Sequence, residues 1–163
     1  MLYSQKYCLV SFIKPLKSAT EFNMSEWPLH VTIADVFAIN RDLTKIEHKI
    51  KKYLSSQLAP VTTVNKEATL GTTDVVLLDK NQRLISLHTG LVDLLKTNDA
   101  IFNSPDFNRE GFLPHCTIQK TGKLQKGDKV TINSLSLVDM FPNNNWQQRK
   151  ILNTFMLQLE PIN

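Results

Sequence analysis

Two short stretches set the fold: Trp27-Pro28-Leu29-His30-Val31-Thr32-Ile33 and Gly111-Phe112-Leu113-Pro114-His115-Cys116-Thr117-Ile118. Both read histidine, small apolar residue, threonine, isoleucine, with a proline one or two residues ahead. Successive side chains of a strand point to opposite faces, so residues two apart share a face. His30 and Thr32 therefore point one way, while Leu29, Val31 and Ile33 face the core. In the second copy His115 and Thr117 point together, and Cys116 and Ile118 turn away. One such motif reads as a half-buried strand with a polar outer side. Two matched copies, one in each half of the chain, point to a single site built from both.

The pairing suits phosphate ester chemistry. An imidazole titrates near neutrality, at about 6.5, so one ring can accept a proton while a second, protonated ring gives one up. Cleaving a phosphodiester needs both acts: the attacking water or hydroxyl loses a proton, and the leaving oxygen gains one. Each transfer is typically worth about 10²–10⁴-fold in rate. A threonine hydroxyl on the same face can donate to a nonbridging phosphate oxygen. Which ring is base and which is acid stays open at this level.

A zinc site built on His30 and His115 lacks further ligands, because no acid or thiol lies at ligand spacing on the same face. Asp35 and Cys116 are both turned away by the alternation. No metal and no cofactor are therefore expected. Cys8 and Cys116 are the two cysteines of the 163 residues, and both sit in apolar runs without metal or redox spacing. They read as reduced, buried thiols of a cytoplasmic protein. Met1 to Lys6 lack the apolar core of a signal peptide, and no stretch is apolar enough to span a membrane. A net charge of +4 and a pI near 9.1 agree with an anionic partner, although lysines on a small domain usually serve solubility.

Outward from the motifs, the chain reads as one α+β domain over residues 1–163, in the order β-β-α-β-β-α-β-β-β. Strands are expected at Tyr7 to Ile13 and Leu29 to Val36, with a polar loop from Lys17 to Glu26 between them. Asn40 is expected to cap a helix through Ser56. Val61 to Leu70 and Thr72 to Leu78 form strands divided by a turn at Gly71. Asp79 or Asn81 caps a second helix to Lys96, striped with Leu84, Leu87, Leu91, Leu94 and Leu95. Later strands are expected at Phe112 to Gln119, Val130 to Met140 and Arg149 to Leu159.

At the two motifs the chain resembles the two-histidine (2H) phosphoesterase superfamily, and within it the RNA 2′,5′-ligase-like and 2′,3′-cyclic phosphodiesterase group. That resemblance implies a bilobal fold in which two pseudo-symmetric antiparallel sheets face a central cleft, with helices outside. It implies His30, Thr32, His115 and Thr117 as the catalytic set. The group often carries an arginine where this chain has Lys120, and an aromatic where it has Asp35. Lys120 keeps the charge but loses the bidentate fork, and strict alternation would turn it away from Thr117 unless the strand ends first.

Trp27, Phe112, Phe141 and Trp146 are aromatics that could stack a base, and Phe112, just ahead of the second motif, is the preferred one. Lys120 and Phe112 are thus the expected substrate-binding residues. His88 lies on a helical apolar stripe and reads as packing or a hydrogen-bonded core histidine. His48 reads as surface, and Lys123, Lys126 and Lys129 as a solvated basic turn. The expected activity is hydrolysis of a 2′,3′-cyclic phosphate or 2′-5′ phosphodiester of RNA or nucleotides, by a monomer without a membrane partner. Competing readings are an RNA- or nucleotide-binding module without turnover, and a hydrolase of a non-nucleotide ester.

Overall fold

The computed structural model describes residues 5–161; Met1 to Ser4, part of the stretch expected to lack a signal-peptide core, lie outside them. The strands are β1 (Lys6–Phe12), β2 (Glu21–Asn23), β3 (His30–Ala38), β4 (Val61–Leu70), β5 (Thr73–Leu78), β6 (Ile101–Phe102), β7 (His115–Thr117), β8 (Lys129–Thr131), β9 (Ser134–Asp139) and β10 (Gln148–Met156). Two α-helices join them, α1 (Leu43–Ser55) and α2 (Gln82–Thr97). The spatial order is β2-β10-β9-β1-β3-β7-β5-β4-β8, with β6 against β3, and neighbouring strands run antiparallel.

This is an α+β fold of two lobes, one containing β3 and the other β7. The lobes meet through a single register pair, Val31 opposite Cys116, so their strands form one continuous hydrogen-bonded path. The spatial lobes do not follow the halves of the chain, because β9 and β10 return to pair with β1 beside the first motif.

Both helices cover the apolar side of this path. Ile46, Ile50 and Leu54 of α1 and Leu84, Leu87, Leu91 and Leu95 of α2 share a core with Leu9, Val31, Ile33, Val76, Leu78 and Cys116. The two helices also pack on each other at Gly90, where a Cβ would fall on the ring of Tyr53. Burying one such leucine contributes about 1.5–3 kcal/mol. The stripe therefore fixes which side of β3 and β7 is left for chemistry.

Several elements differ from the expectations. Asp42 caps α1, its carboxylate accepting from the Thr44 N–H at 3.0 Å, so the helix starts later than an Asn40 cap would set it. Asn81 caps α2, accepting from the Leu84 N–H at 2.8 Å. The loop before the first motif contains β2, which pairs with β10. The run Val130 to Met140 is two strands: β8 pairs with β4 in one lobe and β9 with β1 and β10 in the other. Between them Ile132 donates to the Pro60 carbonyl and Asn133 accepts from the Leu157 N–H, which marks the crossing. The strand of the second motif is only His115–Thr117, because Arg109–Gly111 forms a 3-10 turn that leads Phe112 inward.

Among the described residues, no helix is long and apolar enough to cross a membrane.

Candidate active site

The pair Val31–Cys116 is the centre of the site. Both side chains are buried on the helix side, at 0% and 1% exposure. Reading the antiparallel register one residue outward puts His30 beside Thr117 and Thr32 beside His115, all four half-buried on the opposite side. Directly opposed residues in such a pair have Cβ atoms about 4.5–5.5 Å apart, and diagonal ones about 7–8 Å or somewhat less. The two histidines are the diagonal, so their rings can flank a tetrahedral group. The four motif residues are thus brought together on one face.

The two imidazoles are held alike. His30 Nδ1 lies 2.8 Å from the Pro28 carbonyl oxygen, and His115 Nδ1 lies 2.8 Å from the Leu113 carbonyl oxygen. A carbonyl only accepts, so in each ring Nδ1 carries the proton and donates. Each neutral ring then presents an unprotonated Nε2. Both partner carbonyls lie two residues back, at or beside the proline of the motif. Proline fixes its own φ and biases the residue before it toward extended geometry, which aims these carbonyls.

Their surroundings differ. His30 packs against Trp27, with ring centroids 4.5 Å apart, and against Phe12, at 6.0 Å. Phe12 is its cross-strand partner in β1. Burial in this aromatic corner holds the His30 pKa below the ordinary histidine value. The Pro28 hydrogen bond opposes the shift, and the nearby His115 adds to it. The effect of His115 on His30 is itself a sign that the two rings lie close to each other. From sequence Trp27 reads only as a stacker or core residue; in the fold it walls one histidine. The Arg149 guanidinium also lies over the Trp27 ring, 6.0 Å from its centroid.

Lys120 is exposed in the turn after β7, beyond the strand end at Thr117, so alternation places no restriction on it. The same turn reaches the first lobe, where the Thr121 hydroxyl donates to the Trp27 carbonyl at 3.2 Å. Phe112 is a correction. Its ring is 6% exposed and stacks on His88, with centroids 3.9 Å apart and planes within 3°. A ring with that face occupied in the core is packing, not a platform for a base. Trp146 is 59% exposed, at the far end of the β9–β10 connection.

Cys8 and Cys116 are buried free thiols, with pKa values pushed up by burial to about 12 and about 11. Among the described residues no group of three or more His, Cys, Asp and Glu side chains is placed to hold a metal ion. The Asp35 carboxylate accepts from the Val36 N–H.

A family model described as the 2′-5′ RNA ligase superfamily matches residues 9–139. The fold resembles TT0787 of Thermus thermophilus, with a TM-score of 0.61 at 11% identity over 96% of this chain and 100% of that one. It also resembles a crystal structure described as a phosphoesterase, with a TM-score of 0.59 at 14% identity over 94% of this chain and 98% of that one. Escherichia coli LigT complexed with 3′-AMP aligns with a TM-score of 0.55 at 13% identity, over 95% and 99%. Among curated proteins, none matches the chain. With a family match across most of its length and a site made from two His-x-Thr strands, the chain belongs to the 2′-5′ RNA ligase superfamily of two-histidine phosphoesterases.

Proposed function

We propose that the protein hydrolyses a 2′,3′-cyclic phosphate or a 2′-5′ phosphodiester of RNA or nucleotides by general acid–base catalysis, with no metal taking part. The observation that carries this reading is the matched tethering of His30 and His115, each with Nδ1 on a carbonyl, on one sheet face across Val31 and Cys116. In the hydrolysis of a cyclic phosphate, the neutral ring takes a proton from water through Nε2. The water oxygen bonds to phosphorus, and the ester bond to one ribose oxygen breaks. The second ring, protonated on Nε2, delivers its proton to that leaving oxygen. The two rings have then exchanged protonation states, and solvent resets them. His30, kept neutral by its aromatic corner, suits the proton-accepting role, and His115 the donating one.

Thr32 and Thr117, beside the opposite histidines, donate to the two nonbridging oxygens. Lys120, exposed in the turn after β7, contributes positive charge toward the same phosphate. The nucleotide class is supported by solved complexes of LigT, a protein of similar fold, with 3′-AMP, ATP and NADP+.

The test is turnover of the four 2′,3′-cyclic nucleotides and of 2′-5′ dinucleotides in excess chelator, by the wild-type protein, His30→Ala and His115→Ala. The expected result is turnover by the wild type and a loss of about 10²–10⁴-fold in kcat for each variant. Tight nucleotide binding with no turnover favours a binding module. Turnover confined to non-nucleotide phosphoesters keeps the chemistry and replaces the substrate.

A further inference from the structure

His88 stands apart from the catalytic face yet touches both motifs. It lies on α2 at 2% exposure, and both ring nitrogens are engaged. The Arg109 backbone N–H donates to Nε2 at 2.9 Å, and Nδ1 lies 2.6 Å from the Ile33 carbonyl oxygen. An N–H cannot accept and a carbonyl cannot donate. The ring is therefore held in one neutral tautomer, protonated on Nδ1.

Each partner sits where the backbone has a gap. On the side of β3 facing the second lobe, the pairing with β7 ends at Val31 and the pairing with β6 starts at Phe37. Ile33 lies between them, and its carbonyl is closed by His88 rather than by a strand. Arg109 holds φ 58, in the left-handed region that a non-glycine residue adopts only when its surroundings require it. Two residues on, a Cβ at Gly111 would fall on the Asp106 carbonyl, so this turn is tightly folded. The chain then passes through Phe112, whose ring lies flat on His88, to Leu113, whose carbonyl holds His115 Nδ1.

We infer that His88 is a positioning residue for the reaction: it pins the Arg109–Leu113 segment to β3 and so sets the orientation of His115 relative to His30. An apolar side chain there would fill the same space but leave the Ile33 carbonyl and the Arg109 N–H without partners. The kinetic part of this inference rests on the proposed acid–base reading; the orientation part does not.

The experiment compares His88→Phe, which keeps a ring against Phe112 and loses both hydrogen bonds, with His88→Gln, which restores a donor and an acceptor. Leu91→Ala, buried in the same helix, serves as a control for lost stability alone. The expected result for His88→Phe is a kcat lower by about 10–10²-fold with KM within about twofold, as for a displaced catalytic group. His88→Gln recovers much of kcat, and Leu91→Ala keeps kcat despite a lower Tm. Unchanged kcat in folded His88→Phe, or a loss in Leu91→Ala that matches it, overturns the inference. If His88→Phe does not fold, His88→Asn, too short to reach both partners, carries the same comparison. If the wild type turns over none of the substrates, the proposed function fails and the inference is read from imidazole nitrogen NMR alone. His115 then shows the Nδ1–H tautomer in the wild type and mixed tautomers in His88→Phe, whereas an unchanged His115 signal overturns it.

Discussion

Val31 lies directly across from Cys116 where β3 meets β7, and this one register pair joins the two lobes of the sheet. Because side chains alternate, inward-facing Val31 and Cys116 leave His30, Thr32, His115 and Thr117 as a four-cornered group on the other side, histidines on one diagonal and threonines on the other. A slip of one residue in either strand would send its histidine into the core. The apolar stripes of α1 and α2 prevent that slip, since they bury the side that carries Val31, Ile33 and Cys116.

If both histidines act in the same step, their removals overlap. His30→Ala with His115→Ala is expected to lower kcat little further than the worse single variant, because a lone ring cannot complete the transfer. Losses that multiply in the double variant would mean that the rings act in separate steps. Steady-state kinetics on a 2′,3′-cyclic nucleotide measures this.

Thr32→Val and Thr117→Val remove a hydroxyl while nearly keeping the shape. Buried oxyanion donors are worth about 10²–10³-fold in kcat. These half-buried hydroxyls are expected to cost about 10–10²-fold each, with KM affected less and Tm within a few degrees. Equal losses from both variants would reflect the pseudo-twofold placement. An unchanged kcat in either variant would remove that hydroxyl from the mechanism.

The pH dependence follows from His30. Its pKa is lowered, so the ring stays neutral at pH values where an ordinary histidine, at about 6.5, is already protonated. The acid limb of kcat/KM that reports the proton acceptor is therefore expected below 6.5, and His30→Ala removes that limb. Stability moves in the same direction. His30 and His88 both have lowered folded pKa values, so between those values and about 6.5 the unfolded chain binds more protons and stability falls as pH falls. Above that window the cost is absent. Tm measured from pH 7.5 to 5.5 is expected to be flat and then to decline.

The two buried thiols are predicted to be silent. Cys116 lies between His115 and Thr117 in sequence but faces the core, and burial pushes it to about 11 and Cys8 to about 12. Thiolate is the reactive form, so iodoacetamide at pH 8 is expected to leave both unmodified in the native protein and to label both after unfolding. Rapid native labelling of Cys116, read by mass spectrometry, would place it on the cleft side and contradict the register.

The motifs were legible because strand alternation has a period of two: four residues suffice to decide which side chains travel together. The second helix was legible from its leucine stripe. Cap choice was less so, since Asn40 and Asp42 are both good caps two residues apart, and only the position of Thr44 decides between them. The break at Ile132 and Asn133 was hidden because both flanking runs are strand-like, and their partners lie in different lobes. Phe112 looked available from its place beside the motif, but the 3-10 turn before it aims the ring at His88. The carbonyls of Pro28 and Leu113 act through the backbone, and only the recurring prolines hinted at them.

That two imidazoles attend one phosphate can be read from a titration of histidine-labelled protein with adenosine 2′-monophosphate. In nitrogen-resolved NMR spectra, the ring signals of His30 and His115 are predicted to shift together along one saturation curve, while exposed His48 and the doubly bonded His88 stay in place. A response from one ring only, or two rings saturating at different concentrations, would rule out a shared phosphate.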